Sequence, residues 1–306
     1  MADGAGGVTK AVAPARAEQT RARYPDQEGY VERGGVRVFY EVYGEGEPTL
    51  LFLPTWSLVH SRHWKMQIPY FARHARVVTF DPRGNGRSDR PQESTAYAEA
   101  EFAADALAVM DATDTERAVL VSLSLGAQRA LLLATGRHER VAGAVFIGPA
   151  LSLGGLDEER ETVSFDDEAG TDEGWARYNR HSWRRDYEGF VEFFFSQALY
   201  EPHSTKPIED CVGWGLDTDP ETLILTETAP GLGSREQTLE LCRRVRCTVL
   251  VLHGSEDRIR PHAHGAELAA ATGGTLVTLA GSGHFPHVRD PVRVNLLIRE
   301  FVESLP

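Results

Sequence analysis

Long apolar runs are absent from this 306-residue sequence. None approaches the ~18 residues that a helix needs to cross bilayer hydrocarbon, so no membrane span is expected. Cysteine is scarce. Cys211, Cys242 and Cys247 make an odd set without Cys-x-x-Cys spacing, which argues against a disulfide framework or a thiolate zinc site and fits a reducing, cytoplasmic compartment. Residues 1–23 mix Ala, Gly and Arg with Asp3 and Glu18 and lack the apolar segment of a secretory signal, so they read as a disordered tail. Positive charge is also short, with 32 Lys and Arg against 45 Asp and Glu and a net charge of −13. Without a basic face nothing neutralises phosphates, so the expected partner is a small molecule and not a nucleic acid. Oligomeric state is not legible.

The charge imbalance is local. From Ala150 to Glu221 there are 18 Asp and Glu against 6 Lys and Arg, so this stretch holds −12 of the net charge of −13. The rest of the chain alternates short apolar strands with helical patterns. Tyr30–Arg33 and Val36–Tyr43 flank Gly34-Gly35, a two-residue hairpin signal. Thr49–Leu53, Arg76–Phe80, Ala118–Ser122, Ala142–Ile147, Cys247–Leu252 and Thr275–Leu279 are apolar on both faces, as in a buried parallel sheet. Helices are expected over His60–Arg73, Tyr97–Ala112, Ser124–Arg137 and Pro261–Ala271. A last one is capped by Asp290-Pro291 and docks through Val294, Leu297, Ile298, Phe301 and Leu305. This alternation predicts an α/β fold, a mostly parallel sheet of eight strands with helices on both faces.

Residues 151–235 break the alternation after the sixth strand. Helices are expected there over Glu173–Trp183, Asp186–Leu199 and Ser204–Trp214, then from Asp219-Pro220, and Ser234 with Gln237 resembles a capping box. This stretch reads as a helical lid between two parts of one core, residues 24–150 and 236–306. Its aromatics, Phe190, Phe193 and Phe194 among them, are expected chiefly to pack the lid itself, with a minority facing a site below.

Ala118–Ala134 runs from a β-branched strand through Ser122-Leu123-Ser124-Leu125-Gly126 into an Ala/Leu-rich helix. A serine hydroxyl is a weak nucleophile at pH 7, and a sharp strand-to-helix turn pushes it out of the backbone toward a base and toward donors for developing charge. Ser124 sits at that tip. By itself the stretch fits a serine at a helix cap equally well.

Three further stretches give it context: Asp81-Pro82-Arg83-Gly84-Asn85-Gly86-Arg87-Ser88-Asp89, His253-Gly254-Ser255-Glu256-Asp257, and Gly281-Ser282-Gly283-His284-Phe285-Pro286. With these, the chain from Tyr30 to Pro306 resembles a lidded serine hydrolase of the α/β-hydrolase superfamily, with Ser122 standing where the family has Gly. The resemblance implies a triad in which Ser124 is the nucleophile, His284 the base and Asp257 the acid that orients it, each just beyond a strand's carboxyl end. Glu256 is the rival acid. The oxyanion donors implied are the Leu125 amide and, from Pro54-Thr55-Trp56 where the family commonly has His-Gly-x, the Trp56 amide. His287 reads as structural or at the rim. His60 and His63 read as pocket-lining or as polar groups on a helix surface. Metal binding by His262, His264 and Asp257 is not expected, because histidines two apart on a helix face different ways. No cofactor is implied.

The expected function is hydrolysis of a carboxylic ester, lactone or thioester of a small to medium neutral substrate through an acyl-enzyme. Alternatives with the same triad are a C–C bond hydrolase, a peptidase, a perhydrolase or an acyltransferase. A different class is a ligand-binding or signalling module on the same fold. An acidic lid over the entrance would favour neutral or cationic substrates; carboxylates on a solvated outer face would only keep the protein soluble.

Overall fold

A computed structural model of the chain describes residues 21–155, 160 and 162–306. The expected tail lies outside the described residues up to position 20, as do positions 156–159 and 161 of the expected lid. Next to the tail, Arg21 donates to Glu41 at 2.9 Å and Arg23 to the Ala72 carbonyl at 3.2 Å, so the chain is pinned to the core from there on.

Eight strands form one sheet: β1 Gln27–Arg33, β2 Val36–Tyr43, β3 Thr49–Phe52, β4 Arg76–Phe80, β5 Ala118–Leu123, β6 Val141–Ile147, β7 Thr248–Gly254 and β8 Thr275–Leu279. Their order is β1-β2-β4-β3-β5-β6-β7-β8. The β1–β2 hairpin and the β2–β4 pair are antiparallel and the remaining pairs parallel. Gly34 and Gly35, with φ of 60° and 77°, make the tight turn of the hairpin, which needs positive φ at both central residues.

Strand alternation divides the core. Leu50, Phe52, Val119 and Val121 pack on one face, while Leu51, Leu53, Leu120 and Ala118 pack on the other. Both faces are covered, so the central strands β3 and β5 are buried along their whole length, and burying each Leu or Val there contributes about 1.5–3 kcal/mol. Helices Glu99–Ala112 and Gly126–Gly136 cover one side. Pro291–Glu303 covers the other, through Val294, Ile298 and Phe301, with Asp290 capping it by accepting from Arg293 N.

Two expected helices are each broken in two. Over 60–73 there is a 3-10 turn, Ser61–Trp64, and a short helix, Ile68–Phe71. Pro69 has no N–H to give and fits only a first turn, so a new helix begins there. Over 173–183 there is a 3-10 turn, Gly174–Arg177, and then the helix Arg180–Arg185. Asn179 separates them: it is extended and its side chain accepts from the His181 and Ser182 amides, which opens a second helix instead of continuing the first. The chain between β6 and β7 continues helically over Tyr187–Ala198, Thr205–Gly215, Pro220–Glu227 and Arg235–Arg243. The last has the capping box of Ser234 and Gln237.

Candidate active site

β5 ends at Leu123, and Ser124 has a φ of 51° before helix Gly126–Gly136 starts. A left-handed conformation in a residue with a Cβ costs on the order of 1–3 kcal/mol and persists only where its surroundings hold it. Here Ser124 N donates to Ile147 O at 3.0 Å, and Ser124 O accepts from Ala127 N and Ala150 N at 3.0 Å each. Crowding explains the small neighbours. A Cβ placed on Gly126 would lie 2.8 Å from Pro54 O and 3.5 Å from Ser122 Cβ. The hydroxyl of Ser122, where the superfamily has Gly, is satisfied by donating to Val145 O at 2.9 Å.

His284 follows β8 and Asp257 follows β7. His284 Nδ1 lies 2.7 Å from Asp257 Oδ2. Asp257 Oδ1 accepts from the Ile259 and Arg260 amides at 2.8 and 2.9 Å, and Oδ2 also meets His253 Nε2 at 3.1 Å. Burial opposes the Asp257 charge, but His284 and His253 outweigh it and hold this carboxyl well below the usual carboxylate range. Glu256 points elsewhere and accepts from the Tyr200 hydroxyl at 2.6 Å. The helical segment after β6 fixes the histidine turn: His284 N donates to Ala198 O at 3.2 Å, and Gly283 N to Glu201 Oε1 at 2.7 Å.

Ser124 borders two spaces. An apolar recess of ≈ 20 Å³ is lined by Thr55, Leu58, Phe194, His284 and Phe285, so it holds both Ser124 and His284. A cavity of ≈ 200 Å³ is lined by Leu125, Trp56, Tyr178, Arg160, Glu227 and Arg260 as well as Ser124. Among the described residues the Leu125 and Trp56 amides donate to no backbone carbonyl. The Trp56 ring is buried against Trp183, Phe190 and Phe194, and its Nε1 donates to Thr226 Oγ1 at 2.9 Å. Phe193 turns to Trp175 instead.

A model described as the alpha/beta hydrolase family matches residues 50–295. The chain belongs to the α/β-hydrolase family. It is 26% identical over 284 residues to an AB hydrolase superfamily protein, YisY, of Bacillus subtilis (strain 168), which covers 88% of this chain and 96% of that protein. It is 27% identical over 285 residues to a 2-hydroxymuconate semialdehyde hydrolase of Pseudomonas sp. (strain CF600), covering 88% and 91%. Among solved structures it resembles Est816, described as an N-acyl homoserine lactone degrading enzyme, with a TM-score of 0.72 and 27% identity over 89% of this chain and 100% of that one. The chain is a hydrolase.

Several residues of this α/β-hydrolase sit otherwise than expected. His60 and His63 are buried core groups and neither line the two spaces nor ride a helix surface. His60 Nε2 meets Asp217 at 3.3 Å, and His63 Nδ1 meets His287 Nε2 at 3.1 Å. Burial pushes His287 down to about 3 and His63 well below its ordinary value, so both rings stay neutral. The sequence pattern misplaced His60 and His63 because the interrupted 60–73 segment has no outer helix face there. The rings of His262 and His264 diverge, one to Thr278 Oγ1 and the other to the Leu151 and Gly155 carbonyls.

The acidic stretch also faces otherwise than the roof reading requires. Between positions 162 and 221 every Asp and Glu except Glu201 and Asp210 is exposed, and many pair outward, as Arg184 with Glu221 and Arg185 with Asp172. The cavity wall carries Arg160 and Arg260 together with Glu99 and Glu227.

Sequence reasoning also missed Arg129. Buried on the helix after Ser124, it pairs with Glu99 at 2.9 Å and donates to the Pro54 and Thr55 carbonyls at 2.7 and 2.6 Å. It clamps the loop that carries Trp56. Removing one partner of a buried pair leaves a stranded charge, so Arg129→Met is expected to cost roughly 3–5 kcal/mol of stability. Denaturant unfolding checks this, and a loss below about 1 kcal/mol would mean that the clamp is dispensable.

Proposed function

We propose that this hydrolase cleaves a carboxylic ester, lactone or thioester through an acyl-enzyme on Ser124. The supporting observation is the 2.7 Å contact of His284 Nδ1 with Asp257 Oδ2, in a ring that borders the same recess as Ser124. His284 Nε2 takes the Ser124 proton as Oγ adds to the substrate carbonyl, and the carbonyl electron pair moves to an oxyanion held by the Leu125 and Trp56 amides. Collapse of the tetrahedral adduct breaks the bond to the leaving group, which receives that proton from His284. Water then repeats the sequence on the acyl-enzyme and frees the acid. Asp257 stays ionised throughout and stabilises the imidazolium. The helices between β6 and β7 act as the lid, bringing Tyr178 and Phe194 over the nucleophile.

A fluorophosphonate probe with mass-spectrometric mapping, run beside a panel of activated esters of graded acyl length, tests this. The expected result is a single adduct on Ser124 and turnover of the shorter esters. A protein that is folded but neither labels nor turns over any ester would instead be a binding module. Cleavage of a vinylogous 1,5-diketone without ester turnover would indicate C–C bond hydrolysis.

A further inference from the structure

We propose that the ≈ 200 Å³ cavity beside Ser124 is built to take a free carboxylate of the substrate at Arg260. The substrate would then be an acid carrying its scissile ester, lactone or thioester a few atoms away, such as a hemiester of a dicarboxylic acid. This rests on the serine-hydrolase reading of the same site and replaces the neutral substrate expected from the charge balance.

Arg260 lines the cavity that Ser124 borders. Its backbone is fixed at both ends, the amide donating to Asp257 Oδ1 at 2.9 Å and the carbonyl 3.0 Å from His253 Nε2, so the side chain leaves from the triad's own acid loop. Its Nε is buried and donates to nothing, and no carboxylate among the described residues forms an ion pair with it. A guanidinium does not lose its proton in a protein, so a half-buried one with a buried N–H left over is completed by an anion that can accept from it. Arg160 lines the same wall, lies 4.2 Å over the Trp175 ring and donates to Ile259 O, one residue before Arg260.

Two carboxyl groups of the chain also face this space, and neither takes the place of the anion. Glu99 is engaged by Arg129 at 2.9 Å. Glu227 forms no ion pair with Arg260, and burial raises its pKa toward the neutral form, against the pull of Tyr178, Arg260 and Arg160. With Glu99 matched by Arg129, the two arginines of this wall outnumber its remaining carboxyl group, Glu227. A planar carboxylate matches the two-pronged donor face of a guanidinium, and in a partly enclosed cavity such a contact is stronger than it would be on the open surface. Seating the acid end at Arg260 leaves the scissile carbonyl to reach Ser124, with the apolar recess of Leu58, Phe194 and Phe285 beyond it.

The test compares two phenyl esters of adipic acid, one with the second carboxyl free and one with it as the primary amide. In wild-type protein kcat/KM is expected to favour the free acid about 10- to 100-fold, the range of a hydrogen bond to a charged group. In Arg260→Gln that ratio is expected to collapse toward 1; general damage to the fold would lower both rates together and leave the ratio standing. Calorimetric titration of both intact esters into Ser124→Ala reads the subsite without chemistry. The same preference in Kd, lost in Ser124→Ala/Arg260→Gln, supports it. A wild-type ratio at or below 1, a ratio unchanged by Arg260→Gln, or equal or absent binding of the two esters overturns it. Failure of the serine reading is separate, appearing as turnover that persists in Ser124→Ala.

Discussion

Ser124→Ala is expected to lower kcat on an activated ester by ~10³- to 10⁶-fold, the range seen when a nucleophile working in concert with its base is removed. The protein should remain folded. Ser124 holds its turn through backbone bonds to Ile147, Ala127 and Ala150, and alanine keeps all of them. Its left-handed φ of 51° is borne by the main chain, which an alanine adopts at similar cost. Circular dichroism and the melting temperature should therefore match wild type while fluorophosphonate labelling disappears. More than a tenth of wild-type turnover in a clean assay would remove Ser124 from the mechanism and leave the cavity without its proposed chemistry.

Asp257→Asn is expected to lower kcat by about 10⁴-fold with little change in KM. The hydrogen bonds around the carboxylate set the direction of the effect. Oδ1 accepts from two backbone amides, Ile259 and Arg260, so an asparagine must keep its carbonyl oxygen there. Its NH₂ then faces His284 Nδ1 and His253 Nε2, where Oδ2 had accepted. A donor opposite Nδ1 makes that nitrogen the acceptor and places the ring proton on Nε2, the wrong tautomer for taking the serine proton. The loss falls on the transition state and not on ground-state binding, hence on kcat. Measuring both constants on one ester decides it. A matching rise in KM with kcat preserved would mean that Asp257 shapes the cavity instead of orienting the base.

Much of this molecule is written locally. The β-branched runs, the Gly34-Gly35 turn, the caps at Asp290 and Ser234, and the small residues around Ser124 each act within a few positions of themselves. A strand end or an elbow can therefore be recognised without knowing what packs on it, and the chain order of Ser124, Asp257 and His284 follows from the order of those strand ends. Where side-chain chemistry competes inside a segment, the pattern fails: Asn179 caps a helix in the middle of an apparently continuous one, and His63 and His287, 224 positions apart, meet in the core.

The polarity of the site was decided only by the tertiary structure. Summed along the sequence, the segment between β6 and β7 is strongly acidic, but a helix turns its charges away from whatever it covers, and all of its described carboxylates up to Glu221 except Glu201 and Asp210 face water. Arg260, Arg160 and Arg129 carry no local mark, because what makes each of them matter is a group brought to it from another part of the chain. Arg129 is defined by Glu99 and the Pro54 and Thr55 carbonyls, and Arg260 by a cavity whose other wall is Ser124. Sequence determines which loops leave the same edge of the sheet; only their convergence determines the charge that a substrate meets between them.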